Sequence, residues 1–352
     1  MKMGKRNTVL YVSDNSLLYY RFGKLYYESG GCVISCVLQK SSLKRCVSRI
    51  RLIERLLRLS PRTSIKLDDN HFLISYNGNV YNWDVVQNNL QIEHAFRSEM
   101  NNPLSFTRIK GVAGFEDCIA YGEYFVNPTR KPVNVWLRNV SGEWKSVYQF
   151  NGNIIHVHGI VSDINNGCVY ILTGDFGEEA AIWIAKDNFK IIVPLCKGEQ
   201  KYRGCVGFPT NQGLLYATDA PNEPNALYLL NHGGEVNKVM DMPGPSIYGM
   251  ENNGVYYFAT SVEPDSSLPT WKYFLSRKHG LGIKDNYTHV IAGNFEKGFR
   301  EIAKYEKDFW PLTLFQFANV LFPESALKDT ICLMPVSVKR YDNIPIVMSV
   351  VE

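Results

Sequence analysis

The stretch His156-Val-His-Gly-Ile-Val-Ser-Asp163, with Val169-Tyr-Ile-Leu-Thr-Gly-Asp175 just behind it, decides the fold. It is typical of two short apolar strands joined by a turn, the second of which ends in a small residue and an acid. The pattern occurs four times in succession, at a spacing of roughly forty to fifty residues that is typical of propeller blades. The other three copies pair Arg108–Phe115 with Cys118–Glu123, Tyr202–Phe208 with Leu215–Asp219, and Ser246–Met250 with Val255–Glu263.

Weaker copies flank this central array. Residues 64–96 and 315–350 each resemble one blade, and residues 8–38 supply further strands. Propeller rings commonly close by combining terminal strands in one blade, so the windows fit either six or seven blades. Each blade buries its faces against its neighbours, and no further domain boundary is needed. The sequence therefore predicts an all-β chain, a single propeller domain over residues 1–352.

One long helix is predicted, over residues 41–59, within an insertion that spans residues 41–62. Apolar residues recur there at helical spacing, Ser41 or Ser42 suits the N-cap, and Pro61 follows the end. Residues 44–62 contain seven Lys or Arg residues and one Glu. Such a basic helix is either a solvated face or a site for an acidic or membrane-surface partner, and both remain open.

The composition indicates the cellular compartment in which we expect the protein. The 352 residues include no apolar run long enough for a transmembrane helix, and the first residues lack the pattern of a signal peptide. The eight cysteines are scattered, mostly in apolar strand-like runs, which favours reduced core residues. We therefore expect a cytoplasmic protein without a nucleic-acid partner.

Equivalent positions of successive blades converge around a propeller axis, and here they carry polar groups. We expect the loops after the first and the second strands to form one funnel. The acids that follow the second strands are Glu123, Asp175, Asp219 and Glu263, and the first strands offer Lys110, His158, Arg203 and Tyr248. Gathered carboxylates push their pKa values apart, which suits acid and base catalysis. The alternative is that these acids only cap turns.

Further candidates lie beside these positions. His156 and His158 are two residues apart on a strand, so they point to one side and can bind a metal or move a proton. Spacing marks no third ligand, so neither a metal nor a cofactor is expected. Tyr202 offers a wall for sugar stacking. Asn222 is a further substrate-binding candidate, although Asp219-Ala-Pro-Asn222 also fits an Asx turn.

One motif points to a family. Leu137-Arg-Asn-Val-Ser-Gly-Glu-Trp144 resembles the Asp-box turn of sialidase-like propellers, with Asn139 in place of the Asp and Trp144 in place of the Trp. The surrounding residues 105–230 resemble uncharacterised sialidase-like propellers that accompany bacterial surface-polysaccharide genes. The resemblance implies a role with glycans. Of the family's three arginines for the substrate carboxylate, only Arg203 has a counterpart here.

The leading hypothesis is a glycoside hydrolase that acts on a bacterial polysaccharide or its precursor. Asp175 and Asp219 would be the central carboxylates, Glu123 or Glu263 their partner, and His158 a proton shuttle, with Arg203 binding an anionic group. A second hypothesis is a polysaccharide lyase, in which Arg203 neutralises a uronate and His158 or Tyr248 takes the proton. A third is a non-catalytic scaffold that binds a glycan or a protein.

Overall fold

The computed structural model describes residues 6–265 and 267–350. Within these ranges the strands form seven sheets, and the first strands of the sheets line a central channel. The chain is therefore a β-propeller, as the repeat pattern predicted, and of the six or seven blades that the pattern allowed it has seven. None of the helices in the described ranges is long and apolar enough to cross a membrane.

The strands are numbered in chain order. Blade 1 contains β1 (Thr8–Ser13), β2 (Ser16–Arg21), β3 (Lys24–Ser29) and β4 (Cys32–Val37). Blade 2 contains β5 (Thr63–Lys66), β6 (His71–Tyr76), β7 (Asn79–Asp84) and β8 (Asn89–Ala95). Blade 3 contains β9 (Thr107–Ile109), β10 (Cys118–Gly122), β11 (Val133–Asn139) and β12 (Trp144–Phe150). Blade 4 contains β13 (His156–Asp163), β14 (Cys168–Gly174), β15 (Ala181–Lys186) and β16 (Ile191–Lys197).

The remaining blades follow the same order, with one exchange at the ring closure. Blade 5 contains β17 (Gly204–Thr210), β18 (Gly213–Thr218), β19 (Asn225–Asn231) and β20 (Val236–Met242). Blade 6 contains β21 (Ser246–Asn252), β22 (Val255–Thr260), β23 (Tyr287–Asn294) and β24 (Gly298–Glu306). Blade 7 contains β25 (Asn319–Leu321), β27 (Thr330–Val336) and β28 (Ile346–Ser349), whereas β26 (Glu324–Ala326) joins blade 1.

The second strands form the core of the blades. Residues of β10, β14 and β18 are buried from end to end, because neighbouring blades cover both faces of each strand. Tyr121, Tyr216 and Tyr257 on second strands are each at most 1% exposed. Each large apolar side chain buried in this way contributes about 1.5–3 kcal/mol to folding. The ring closes where β26 pairs in parallel with β1, placing Glu324 beside Tyr11.

The predicted helical insertion is present as two short helices, α1 (Ser42–Val47) and α2 (Arg51–Leu56). The helix is interrupted because Ile50 adopts an extended conformation, with φ −90° and ψ 105°. A third helix, α3 (Thr270–Leu275), lies between β22 and β23.

Two arginines of α2 bind the propeller itself. Arg51 donates two hydrogen bonds to the carboxylate of Asp342, at 2.8 and 3.0 Å. Arg55 is 3% exposed, and its guanidinium lies 2.5 Å from a carboxylate oxygen of Asp308. These two residues therefore hold the insertion against blade 7. The predicted acidic or membrane-surface partner stays a prediction that concerns only the exposed basic residues.

Candidate functional site

The polar residues of blades 4, 5 and 6 meet on one face of the propeller. Because adjacent strands are antiparallel, the start of each first strand lies beside the end of the second strand, and the backbone N–H of Asp219 donates to the carbonyl of Arg203 at 2.9 Å. The prediction that loops after first and second strands share a face was therefore wrong. Those loops lie on opposite faces.

A β-bulge recurs near this face in the first strands of blades 4, 5 and 6. The extra residue is His158 in β13, Cys205 in β17 and Ile247 in β21. Bulges re-aim side chains and are common beside functional sites. Strand pairing makes these three residues equivalent, so the predicted equivalence of His158 with Lys110, Arg203 and Tyr248 was wrong.

The two histidines of β13 face each other. Their Nε2 atoms are 2.9 Å apart, and His158 Nε2 lies 3.1 Å from an oxygen of Asp175. His156 Nε2 lies 3.5 Å from the other oxygen of that carboxylate. Both imidazoles are buried, with 6% of His156 and 2% of His158 exposed. The expectation that they point to one side is confirmed.

The contacts of the two Nδ1 atoms indicate which nitrogen of each ring carries the hydrogen. His156 Nδ1 lies 3.2 Å from the carbonyl oxygen of Phe125, and His158 Nδ1 lies 3.2 Å from that of Gly204. A carbonyl oxygen can only accept, so we infer that both Nδ1 atoms carry hydrogen and both Nε2 atoms present lone pairs. Burial lowers the pKa of His156, which also favours the neutral ring. The facing lone pairs therefore need a proton or a cation between them.

Asp175 completes this group and links it to blade 5. Burial alone would raise the pKa of Asp175, but its polar neighbours, among them the positively charged Arg203 guanidinium, hold it well below its usual range. Arg203 Nη2 lies 3.1 Å from Asp175 and 3.4 Å from Asp219. Within the described chain, Arg203 Nε is buried without a hydrogen-bond partner. A planar cation with a spare donor suits a bound anion.

A second set of acidic groups adjoins Arg203. The Cys205 thiol donates to Asp219 Oδ2 at 3.2 Å, and burial raises the pKa of that thiol well above its usual range. Asp219 Oδ1 is buried and has no hydrogen-bond partner among the described residues. Burial, reinforced by the charge of Asp219, raises the pKa of Glu263 to about 8. Ser261 donates a hydrogen bond to Glu263 at 2.5 Å.

Six predicted site residues therefore lie together on this face, from three adjacent blades. They are His156, His158, Asp175, Arg203, Asp219 and Glu263, and are called the blade 4–6 cluster below.

The other five predicted residues are Glu123, Lys110, Tyr248, Tyr202 and Asn222. Glu123 accepts hydrogen bonds from Arg97, Asn134 and Trp136, so its carboxylate is occupied by residues of its own blade and of the segment between blades 2 and 3. Lys110 follows β9 and lines a groove on the opposite face, because a first strand ends there.

Tyr248 lines the central channel, and its hydroxyl lies 3.5 Å from Arg62. Tyr202 donates its hydroxyl hydrogen to Glu199. Asn222 lies in the loop after Asp219, where its side-chain oxygen packs beside Gly280.

Two side chains at the cluster had not been predicted. Cys205 stands in an apolar run and was interpreted as core, and only the bulge brings its thiol to Asp219. The ring of Tyr124 lies 4.2 Å from that of His156, and burial raises the pKa of Tyr124 well above its usual range. The sequence next to Glu123 carried no signal for this role.

The donor set fits a divalent metal ion. His156, His158 and Asp175 place one ligand atom each within 4.8 Å of one another, and two imidazoles with a carboxylate suit Zn²⁺, Mn²⁺ or Fe²⁺. Ligating histidines usually donate their other N–H to a carbonyl or carboxylate, which both residues do here. This geometry argues against the expectation that the chain has no metal site.

Comparison with known proteins adds a fold likeness. Neither a family model nor a curated protein matches the sequence. Among solved structures, the chain is similar to an oligogalacturonate lyase in complex with manganese, with a TM-score of 0.53 and 10% identity over 89% of this chain and 84% of the other. A computationally designed protein, Ika8, gives a TM-score of 0.51 at 8% identity, over 99% of this chain and 98% of that one. At these identities the likeness shows the propeller fold alone.

Proposed function

We propose that this propeller is a metal-dependent polysaccharide lyase that cleaves chains containing uronate sugars. The observation that carries the proposal is the convergence of His156, His158 and Asp175, with both Nδ1 atoms held by carbonyl oxygens, beside the cationic Arg203. The similar oligogalacturonate lyase, solved with manganese, supports the same class of substrate and metal.

The reaction needs a base, an acid and a positive charge. In eliminative cleavage, a base takes the proton next to the uronate carboxylate, a C=C bond forms, and the glycosidic C–O bond breaks. A bound divalent ion would act as a Lewis acid on the uronate carboxylate. Arg203, with its spare Nε donor, would bind the same carboxylate and stabilise the negative charge that develops on it.

Two carboxyl groups supply the proton transfers. Asp219 Oδ1 accepts no hydrogen bond within the described structure, so its lone pair is free to take the proton from carbon. Glu263, with a pKa of about 8, holds its proton at neutral pH and can give it to the departing sugar oxygen. His158 faces Asp175 and is assigned to the metal, and Tyr248 lies in the channel, so neither is the base in this proposal.

The same pair of carboxyl groups supports glycoside hydrolysis as a second candidate. A protonated Glu263 beside an ionised Asp219 is the arrangement in which one carboxyl group acts as acid and the other as base or nucleophile. The two reactions differ in their products. Elimination leaves a C=C bond that absorbs ultraviolet light, whereas hydrolysis yields a new reducing end without that absorbance.

The test is incubation of the purified chain with polygalacturonate and other uronate polymers, with MnCl₂ or with EDTA. We expect ultraviolet-absorbing products that require the metal, and a loss of at least about a hundredfold in rate for Asp219→Asn. Asp241→Asn is the matched control, because Asp241 belongs to the same blade and its side chain is 82% exposed. Reducing ends without ultraviolet absorbance would establish the hydrolase instead. Binding without any product would leave only the third hypothesis, a non-catalytic scaffold.

A further inference from the structure

The connection between β22 and β23 is unusually long for this face of the propeller. It comprises 26 residues, 261–286, whereas the corresponding connections in blades 4 and 5 comprise six residues each. Its part from 267 to 284, called the basic loop below, contains four Lys or Arg residues and no acidic residue. All four are exposed, namely Lys272, Arg277, Lys278 and Lys284, and Lys278 forms an ion pair of 3.1 Å with Asp265, which precedes the loop.

The basic loop is anchored beside the blade 4–6 cluster. The N–H of Gly280 donates to the carbonyl of Glu263, and that of Gly282 donates to the carbonyl of Pro221, both at 3.0 Å. The contact at Gly282 is so close that a Cβ there would lie 1.9 Å from the carbonyl oxygen of Glu223. The loop is thus fixed against the segment that follows Asp219.

Aromatic side chains of the basic loop are exposed on this face of the propeller. Trp271 and Phe274 on α3 are 67% and 47% exposed. Phe176 directly follows Asp175 and is 57% exposed. Large apolar side chains exposed together commonly mark a binding surface.

We propose that the basic loop binds the sugar residues that flank the one held at the cluster, so that the substrate is an acidic polymer. The proposal relies on the proposed function for the acidic sugar at the cluster. The loop provides charged and aromatic side chains that can contact the sugars on either side of that one. Lys272, Arg277 and Lys284 are exposed cations outside the Lys278–Asp265 ion pair and complement repeated carboxylates. Aromatic faces pack against the C–H faces of sugar rings. A neutral polymer would gain nothing from the cations.

The experiment uses the full chain and measures binding to polygalacturonate and to digalacturonate, in EDTA and in MnCl₂. The test variant is Lys272→Glu with Arg277→Glu. The matched control is Lys297→Glu with Arg300→Glu, an exposed residue in the β23–β24 turn and an exposed residue near the start of β24, towards the opposite face of the same blade. We expect the test variant to bind the polymer about tenfold more weakly at low salt, with a weaker salt dependence, because attraction between exposed charges is screened.

Digalacturonate binding should be the same in the test variant and the wild type, and the control variant should resemble the wild type throughout. Trp271→Ala should also weaken polymer binding, without changing net charge. Equal polymer affinity in wild type and test variant would overturn the role of the loop, whether or not ultraviolet-absorbing products form. If polymer binding depends on the loop but no such product forms, the role of the loop stands and the lyase proposal fails. Failure of the wild type to bind any acidic polymer would overturn both.

Discussion

Replacing His158 by Gln removes one metal ligand and keeps the side chain polar and of similar size. In the wild-type protein, Mn²⁺ at a hundred times its Kd would stabilise the folded state by about 2.7 kcal/mol. For a chain of 352 residues, an unfolding entropy of about 2.1 cal/mol/K per residue converts this into a rise in Tm of about 4 °C. His158→Gln should weaken binding by at least about a hundredfold, which reduces the rise to below about 1 °C at the same Mn²⁺ concentration.

The assay is thermal unfolding with and without MnCl₂, repeated with EDTA. His71→Gln is the matched control, since His71 lies beside the carboxylate of Asp68 on the opposite face and is not part of the cluster. It should retain the full rise. An equal rise in the His158→Gln protein, or none in the wild type at millimolar Mn²⁺, would refute the assignment of the ligands.

A change at Gly174 perturbs the same site without removing a ligand. A Cβ at Gly174 would lie 2.5 Å from His158 Cε1 and 3.2 Å from Arg203 Cγ, so Gly174→Ala must displace the imidazole. We expect this variant to fold but to lose most of the Mn²⁺-dependent rise in Tm. A full rise would mean that the imidazole position is not important for the metal.

Three further substitutions test the roles of ionisable side chains. Arg203→Lys keeps the charge but cannot replace the planar set of donors, and kcat/KM on a uronate polymer should fall by about a hundredfold. The pKa of Glu263 rises from 4.5 when unfolded to about 8 when folded, so the folded protein binds the proton more tightly and stability should fall as pH rises from about 4.5 to about 8. Urea unfolding across that range should show a smaller fall for Glu263→Gln, and identical slopes would contradict the burial of a neutral acid. Arg55→Ala removes the hydrogen bonds of a buried guanidinium to Asp308 and to the carbonyl of Phe315, whereas Lys307 stays paired with Asp308. It should lower the free energy of unfolding by about 1–3 kcal/mol, against less than about 0.5 kcal/mol for the exposed Arg49→Ala. A similar small loss for both would show that the ion pair does not hold α2.

The repeated blades could be predicted because each blade has a similar pattern of strands and turns in the sequence. The alternation in β13 likewise predicted that His156 and His158 share a side, and the acid at the end of β14 pointed to Asp175. These are local properties, set by the two-residue period of a strand.

What could not be predicted depends on pairing between strands. The bulges change which residues are equivalent, so Cys205 enters the cluster, although its neighbours indicate core. Glu123 has the same local pattern as Asp219, but only the fold shows that Arg97 and Trp136 occupy its carboxylate. A third metal ligand was not visible by spacing, because Asp175 reaches the histidines from the neighbouring strand.

The most direct test of the site is a crystal of the protein grown or soaked with MnCl₂ and measured for anomalous scattering. The account predicts one strong anomalous peak between His156 Nε2, His158 Nε2 and the carboxylate of Asp175, at about 2.0–2.3 Å from each ligand atom. A peak elsewhere, or ordinary density for two hydrogen-bonded imidazoles with no anomalous signal at millimolar Mn²⁺, would contradict it.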